Sequence, residues 1–302
     1  MTDAALLVLH VRPGRARARA TAEAEALGLL RDLGAQHAPG GPLSDRGRVF
    51  WLSLPTAALE RATALLPHLG YTHAVDLVER VPIGLTLHDD VVLWHRQPHR
   101  LVRLYEESPE VARDRAPDRR AFALETKTGA VRHIRGYRGD SRAFKRRGLP
   151  AYDARMLVNI ANATAGATFL DPFAGVGGVV VAAAERGCRV VSCDVDPVLR
   201  FGLGSLAAHV VADARRLPFA EAKFDAIATE PPYEPEAAEM AADSVREAVR
   251  VLRSGGRLSV FCAAWQGDAL RQAAERVGMA LIHEEAIDRK GVACAVLAWA
   301  KG

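Results

Sequence analysis

The stretch Asp171-Pro-Phe-Ala-Gly-Val-Gly-Gly178 restricts the possible folds of this chain more than any other. It follows the short apolar run Thr168–Leu170 and leads into a further apolar segment, so it reads as a strand, a glycine turn and a helix starting at Gly177. In an open α/β sheet such a turn lies outside the carboxyl ends of the strands, where ligands bind. Gly175 and Gly177 let the backbone pass close to a ligand. A nicotinamide or flavin turn has the form G-x-G-x-x-G/A, whereas here Val180 takes the last position and Asp171 stands four residues before the first glycine. A pyrophosphate wants a helix N-terminus free of nearby negative charge. A carboxylate there suits a ligand that carries an ammonium.

From that turn onward, strand-length and helix-length segments alternate. Strands are expected at Arg189–Val195, His209–Ala212, Phe224–Thr229, Leu258–Cys262, Leu281–Ile287 and Cys294–Ala300, with helices at Met240–Leu252 and Asp268–Val277. This alternation calls for a parallel sheet covered on both faces. The short turn Arg289-Lys-Gly291 makes the last two strands an antiparallel pair. The expectation is an α/β, Rossmann-like, doubly wound sheet ending in an antiparallel hairpin, the class I methyltransferase arrangement.

The acids at successive strand ends support S-adenosylmethionine as the ligand. Asp171 is placed for its ammonium, Asp194, 23 residues later, for the ribose hydroxyls, and Asp213 for the adenine amine. The cofactor set expected from these motifs is Asp171, Phe173, Gly175, Gly177, Asp194, Val195, Asp213 and Ala214. Any single acid of this kind could equally be a surface carboxylate capping a strand or helix.

Glu230-Pro-Pro-Tyr233 follows the apolar strand Phe224–Thr229 directly. An exocyclic amine on a base is a poor nucleophile because its lone pair is delocalised into the ring. A carboxylate and a backbone carbonyl that take its N–H bonds would aim that lone pair at a methyl carbon, with prolines stiffening the loop and the tyrosine ring stacking on the base. Glu230, Pro231, Pro232 and Tyr233 are the expected catalytic residues, Glu230 as hydrogen-bond and proton acceptor. The loop has no cysteine, which carbon methylation of a pyrimidine would need.

The first eighty residues read as strand, helix, strand, helix, strand (Leu6–Val11, Arg17–Leu33, Arg48–Leu54, Ala57–Leu69, Ala74–Val81), a small α+β unit. Beyond it a strand at Val91–Trp94, a hairpin Ala121–Glu125 and Ala130–Ile134, and a helix at 152–165 are expected. The net charge of +4 divides unevenly, with 25 Lys and Arg against 18 Asp and Glu in residues 1–165, and 15 against 18 in residues 166–302. Between Val111 and Arg147 there are 12 basic residues and 4 acidic ones. Such a segment attracts a phosphate backbone. Arg142, Lys145, Arg146 and Arg147 are its expected RNA contacts, the alternative being a solvated basic surface in an arginine-rich proteome.

No apolar run approaches the ~20 residues of a membrane span. No export signal is expected from Ala4–Val11, because the residues after it are basic rather than small. Four cysteines without C-x-x-C spacing or a histidine cluster suggest reduced thiols in a cytoplasm and no metal.

Leu149-Pro-Ala-Tyr-Asp-Ala-Arg-Met-Leu-Val-Asn-Ile160, Asp171–Gly178, Asp194-Val-Asp-Pro197 and Glu230–Tyr233 together resemble the THUMP-associated tRNA guanosine-N2-methyltransferases that act on the D-stem guanosine. Leu6–Leu30 and His68-Leu-Gly-Tyr-Thr-His-Ala-Val75 resemble the family's first domain more loosely. The resemblance implies a ferredoxin-like α+β domain (1–82), a reduced THUMP-like, basic RNA-binding region (83–150) and a methyltransferase domain (151–302) that modifies tRNA with S-adenosylmethionine. The chain departs from the family where Glu230 replaces the usual Asp and Ala182 a usual glutamate. The expected function is methylation of guanosine N2 in structured RNA. The alternatives are N-methylation of rRNA, DNA or protein, and a non-catalytic RNA-binding protein on the same fold.

Overall fold

The structure, a computed structural model, describes residues 4–15, 17–38, 40–43, 48–80, 91–94, 97–107, 120–125, 130–135, 149–199, 203, 207–289 and 291–302. The chain divides into two compact units, Met1–Pro109 and Glu110–Gly302.

The first unit runs β1 (Ala4–Val11), α1 (Arg19–Leu30), β2 (Gln36–His37), β3 (Val49–Pro55), α2 (Leu59–Leu65), β4 (Thr72–Arg80), β5 (Val91–Trp94) and β6 (Gln97–Glu106). Its sheet has the order β2-β3-β1-β4-β6-β5. The first four strands, each antiparallel to its neighbour, give the ferredoxin-like order that the sequence implied. Strand β6 was not expected. Its charged residues (Arg100 paired with Glu79, Arg103 with Asp76) break up the apolar run of Leu101, Val102, Leu104 and Tyr105 in a fully formed strand. Because β6 pairs with β4 from Ala74 to Arg80, the first unit continues to Pro109 rather than ending at 82.

In the second unit the hairpin forms from β7 (Arg120–Glu125) and β8 (Ala130–Arg135). The remaining elements are α3 (Ala151–Ile160), β9 (Thr168–Asp171), α4 (Gly178–Glu185), β10 (Arg189–Asp194), β11 (Ala208–Val211), β12 (Phe224–Thr229), α5 (Ala238–Val251), β13 (Leu252–Ala263), α6 (Gly267–Arg276), β14 (Met279–Arg289) and β15 (Val292–Lys301). Their strands make a 7-stranded sheet of order β11-β10-β9-β12-β13-β15-β14. All neighbours are parallel except β15, which runs antiparallel to both β13 and β14. This is the expected doubly wound sheet with its terminal hairpin.

The physical reason lies in the burial pattern. β12 (FDAIAT) is apolar along most of its length because helices cover both sides of it. Helix α5 buries Ala241, Val245, Ala248 and Val249, spaced by three and four, against that sheet. Leu170, Phe224, Ile227, Leu258, Leu297 and Trp299 close the core, each at most 1% exposed. Each such side chain contributes ~1.5–3 kcal/mol of burial. Helix α3 is fastened beneath the sheet by Ser259, whose hydroxyl donates to the Leu157 carbonyl at 2.8 Å. The strand order therefore brings the carboxyl ends of β9, β10 and β12 side by side.

Arg142, Lys145, Arg146 and Arg147 lie outside the described residues, as does most of the stretch expected to be THUMP-like.

Candidate active site

β9 ends at Asp171, and the chain turns through Gly175 and Gly177 into α4. Gly177 is the residue preceding the helix and has φ 86°, a left-handed conformation that side chains resist. A Cβ there would lie 2.7 Å from Leu203 Cδ2. The turn is held from the neighbouring strand. Asp194, the last residue of β10, accepts from the Gly175 N–H through Oδ2 at 2.9 Å and from the Asp196 N–H through Oδ1 at 3.0 Å.

The strand-end acids differ in exposure. Asp171 is 1% exposed, and its Oδ1 accepts from the Thr229 hydroxyl at 2.8 Å and from the Phe173 N–H at 3.2 Å. Burial pushes its carboxyl up to about 7, against those two hydrogen bonds and with Asp194 and Glu230 adding to the rise. Asp171 thus acts first as a brace between β9 and β12. Asp213 is held at the surface by Arg215, whose Nη2 donates to Oδ2 at 2.6 Å, and those hydrogen bonds hold its carboxyl below the usual range. Val195, just beyond Asp194, is 70% exposed, an apolar face open beside the turn. Phe173 is half-buried and Ala214 is buried.

At the end of β12 the prolines stop the ladder, since Pro offers no N–H. Glu230 Oε1 accepts from Tyr233 Oη at 2.6 Å and from Arg289 Nη1, also at 2.6 Å. Arg289 Nη1 lies 3.3 Å from Tyr233 Oη as well, and its guanidinium sits 5.9 Å from the centre of the Phe261 ring. Burial pushes the Glu230 carboxyl above its usual range while Arg289 and Tyr233 pull it back, and nearby Asp153 adds to the rise. Burial and the adjacent Glu230 push the Tyr233 hydroxyl up, so it stays protonated. The Pro232 carbonyl accepts from Gln266 Nε2 at 2.8 Å, and Gln266 Oε1 accepts from the Ala263 N–H at 3.0 Å. Gln266 is 1% exposed, which fixes the loop against the end of β13.

The structure therefore brings Asp171, Gly175 and Asp194 together, and joins them through Thr229 to Glu230–Tyr233. Thr229, Gln266 and Arg289 escaped the sequence reading. Arg289 alone had a signal, since it opens the turn that pairs the last two strands. Among the described residues no group of three His, Cys, Asp or Glu is placed to hold a metal, and no helix is long and apolar enough to cross a membrane.

Residues 170–260 match the family described as methyltransferase domain. Over 88 residues the chain is 40% identical to the tRNA (guanine(10)-N2)-dimethyltransferase of Methanothermobacter thermautotrophicus, a match covering 26% of each protein. It thus spans about a quarter of that relative's length. The fold resembles the crystal structure of TrmN from Thermus thermophilus over 98% of this chain and 99% of that one, with a TM-score of 0.51 and 20% identity. Residues 170–260 of the second unit are thus similar to a methyltransferase domain, on a doubly wound sheet that ends in an antiparallel hairpin.

Proposed function

We propose that this chain methylates the exocyclic N2 amine of a guanosine in tRNA, using S-adenosylmethionine, in the cytoplasm. The observation that carries the reading is the position of Glu230, whose strand is hydrogen-bonded next to the strand bearing the glycine turn and is tied to it through Thr229 and Asp171. The stretch of identity shared with a relative named as a tRNA guanine-N2 methylating enzyme supports the substrate class.

The residues fit the cofactor. The turn backbone is held open by glycine conformations, Asp194 stands at its mouth, and Val195 offers an exposed apolar face for a flat ring. When bound, S-adenosylmethionine supplies an electrophilic methyl on a sulfonium and leaves as the neutral thioether. Glu230 accepts an N2–H bond from the base and orients the lone pair. As the N–C bond forms, N2 gains positive charge and one of its protons passes to Glu230 or to water. Gln266 keeps the Pro232 carbonyl in place, and Tyr233 offers its ring to the base once its hydroxyl leaves Glu230. Arg142, Lys145, Arg146 and Arg147 contact RNA phosphates.

The test is transfer of labelled methyl from S-adenosylmethionine to purified tRNA across a salt series. Incorporation is expected to fall steeply with salt, as phosphate contacts require. No incorporation into tRNA at any salt concentration overturns it.

A further inference from the structure

We propose that Glu230 and Arg289 form one recognition unit that reads the Watson–Crick edge of guanine, with Arg289 as the specificity-determining residue. This rests on the functional reading above and extends it to a residue from the far end of the sheet. Arg289 closes β14, 59 residues beyond Glu230, yet its Nη1 sits 2.6 Å from Glu230 Oε1, and both side chains are 18% exposed. The pair presents a donor followed by two acceptors, Arg289 N–H, Glu230 Oε1 and Glu230 Oε2. Cytosine presents the same sequence of groups to guanine in a base pair.

Guanine answers with an acceptor and two donors. Its O6 accepts from Arg289, its N1–H donates to Oε1 and its N2–H donates to Oε2. The Tyr233 hydroxyl, now on Oε1, holds the position that the N1–H takes when the base enters. Adenine would set its N6 amine against the guanidinium and its N1 lone pair against a carboxylate, two repulsive contacts. The unit therefore selects guanine and holds N2 at the carboxylate in the same act.

The experiment uses one tRNA in two forms, made by splinted ligation after the methylated position is mapped. One carries guanosine there, the other 2,6-diaminopurine, which keeps the N2 amine but loses O6 and the N1–H. The full-length protein is expected to favour the guanosine form by ~10- to 100-fold in kcat/KM, the scale of a bidentate base contact. Arg289→Met, with S-adenosylmethionine binding intact by calorimetry, is expected to lose most of that ratio, and Arg289→Lys to keep part of it. A merely structural role would slow both forms equally and leave the ratio unchanged, which overturns the proposal. Equal rates on the two forms with the unaltered protein overturn it without any variant. No transfer to the guanosine form overturns the functional reading itself.

Discussion

The Thr229 hydroxyl donates to Asp171 Oδ1 at 2.8 Å, joining the last residue of β12 to the last residue of β9. Beyond the ladder that pairs Ala226 and Ile227 with Phe169 and Leu170, this bond fixes the end of the glycine-turn strand to the strand that delivers Glu230. The bond also holds a carboxyl that burial has pushed up to about 7, and this gives the protein a pH signature.

In the unfolded chain Asp171 titrates near the ordinary value of 3.8. With its folded value raised, its contribution to stability is fully present below the unfolded value and is lost as pH rises through about 7. Asp171→Asn is expected to flatten the fall in unfolding free energy between pH 4 and 7, by at most about 4 kcal/mol. Urea denaturation at several pH values measures it. An identical slope in variant and wild type contradicts the assignment.

Gly177→Ala places a Cβ at φ 86° and within 2.7 Å of Leu203. A loss of ~1–3 kcal/mol in stability is expected from the backbone strain. Weaker S-adenosylmethionine binding should accompany it, because the turn and the start of α4 must shift together. Thermal melts and calorimetry read the two effects separately, and a variant as stable as wild type would argue against the strain.

Much of this was legible in the sequence because it was local. The class I sheet order followed from apolar segments of strand and helix length, and the clustering of Asp171, Gly175 and Asp194 from strand ends that such a sheet aligns. β6 was not legible, because Arg100, Arg103 and Glu106 break up its apolar Leu101, Val102, Leu104 and Tyr105, although it pairs with β4 on one side and β5 on the other. Gln266 and Arg289 were hidden for another reason. Each acts through a contact made only when distant strands are side by side, and neither belongs to a recognisable run. Ala182 lies buried in α4, and nothing in the structure assigns it more than packing.

Gln266→Ala leaves the Ala263 N–H and the Pro232 carbonyl without their side-chain partner in a buried setting. A buried polar group left unpaired costs ~1–3 kcal/mol. The loop carrying Tyr233 should loosen, so kcat is expected to fall while the affinity for S-adenosylmethionine holds. Single-turnover kinetics beside calorimetry would show this split; a fall in cofactor affinity alone would contradict it.

Glu230→Gln keeps the shape of the side chain and removes its charge, leaving Arg289 without its carboxylate partner. With both side chains 18% exposed, the loss in stability should stay below the ~3–5 kcal/mol of breaking a fully buried ion pair. On methyl transfer the expected loss is about 100-fold or more, on the scale of a missing general base. If the variant melts like wild type and transfers methyl at the same rate, Glu230 has no role in either.

The central claim is that Glu230 directs methyl transfer to N2 of a tRNA guanosine. The most direct measurement is nucleoside mass spectrometry of tRNA treated with the protein and isotopically labelled S-adenosylmethionine, run in parallel with Glu230→Ala. Label is expected in N2-methylated guanosine with wild type and none with the variant. Label on any other nucleoside atom, or equal N2-methylguanosine from both proteins, contradicts it.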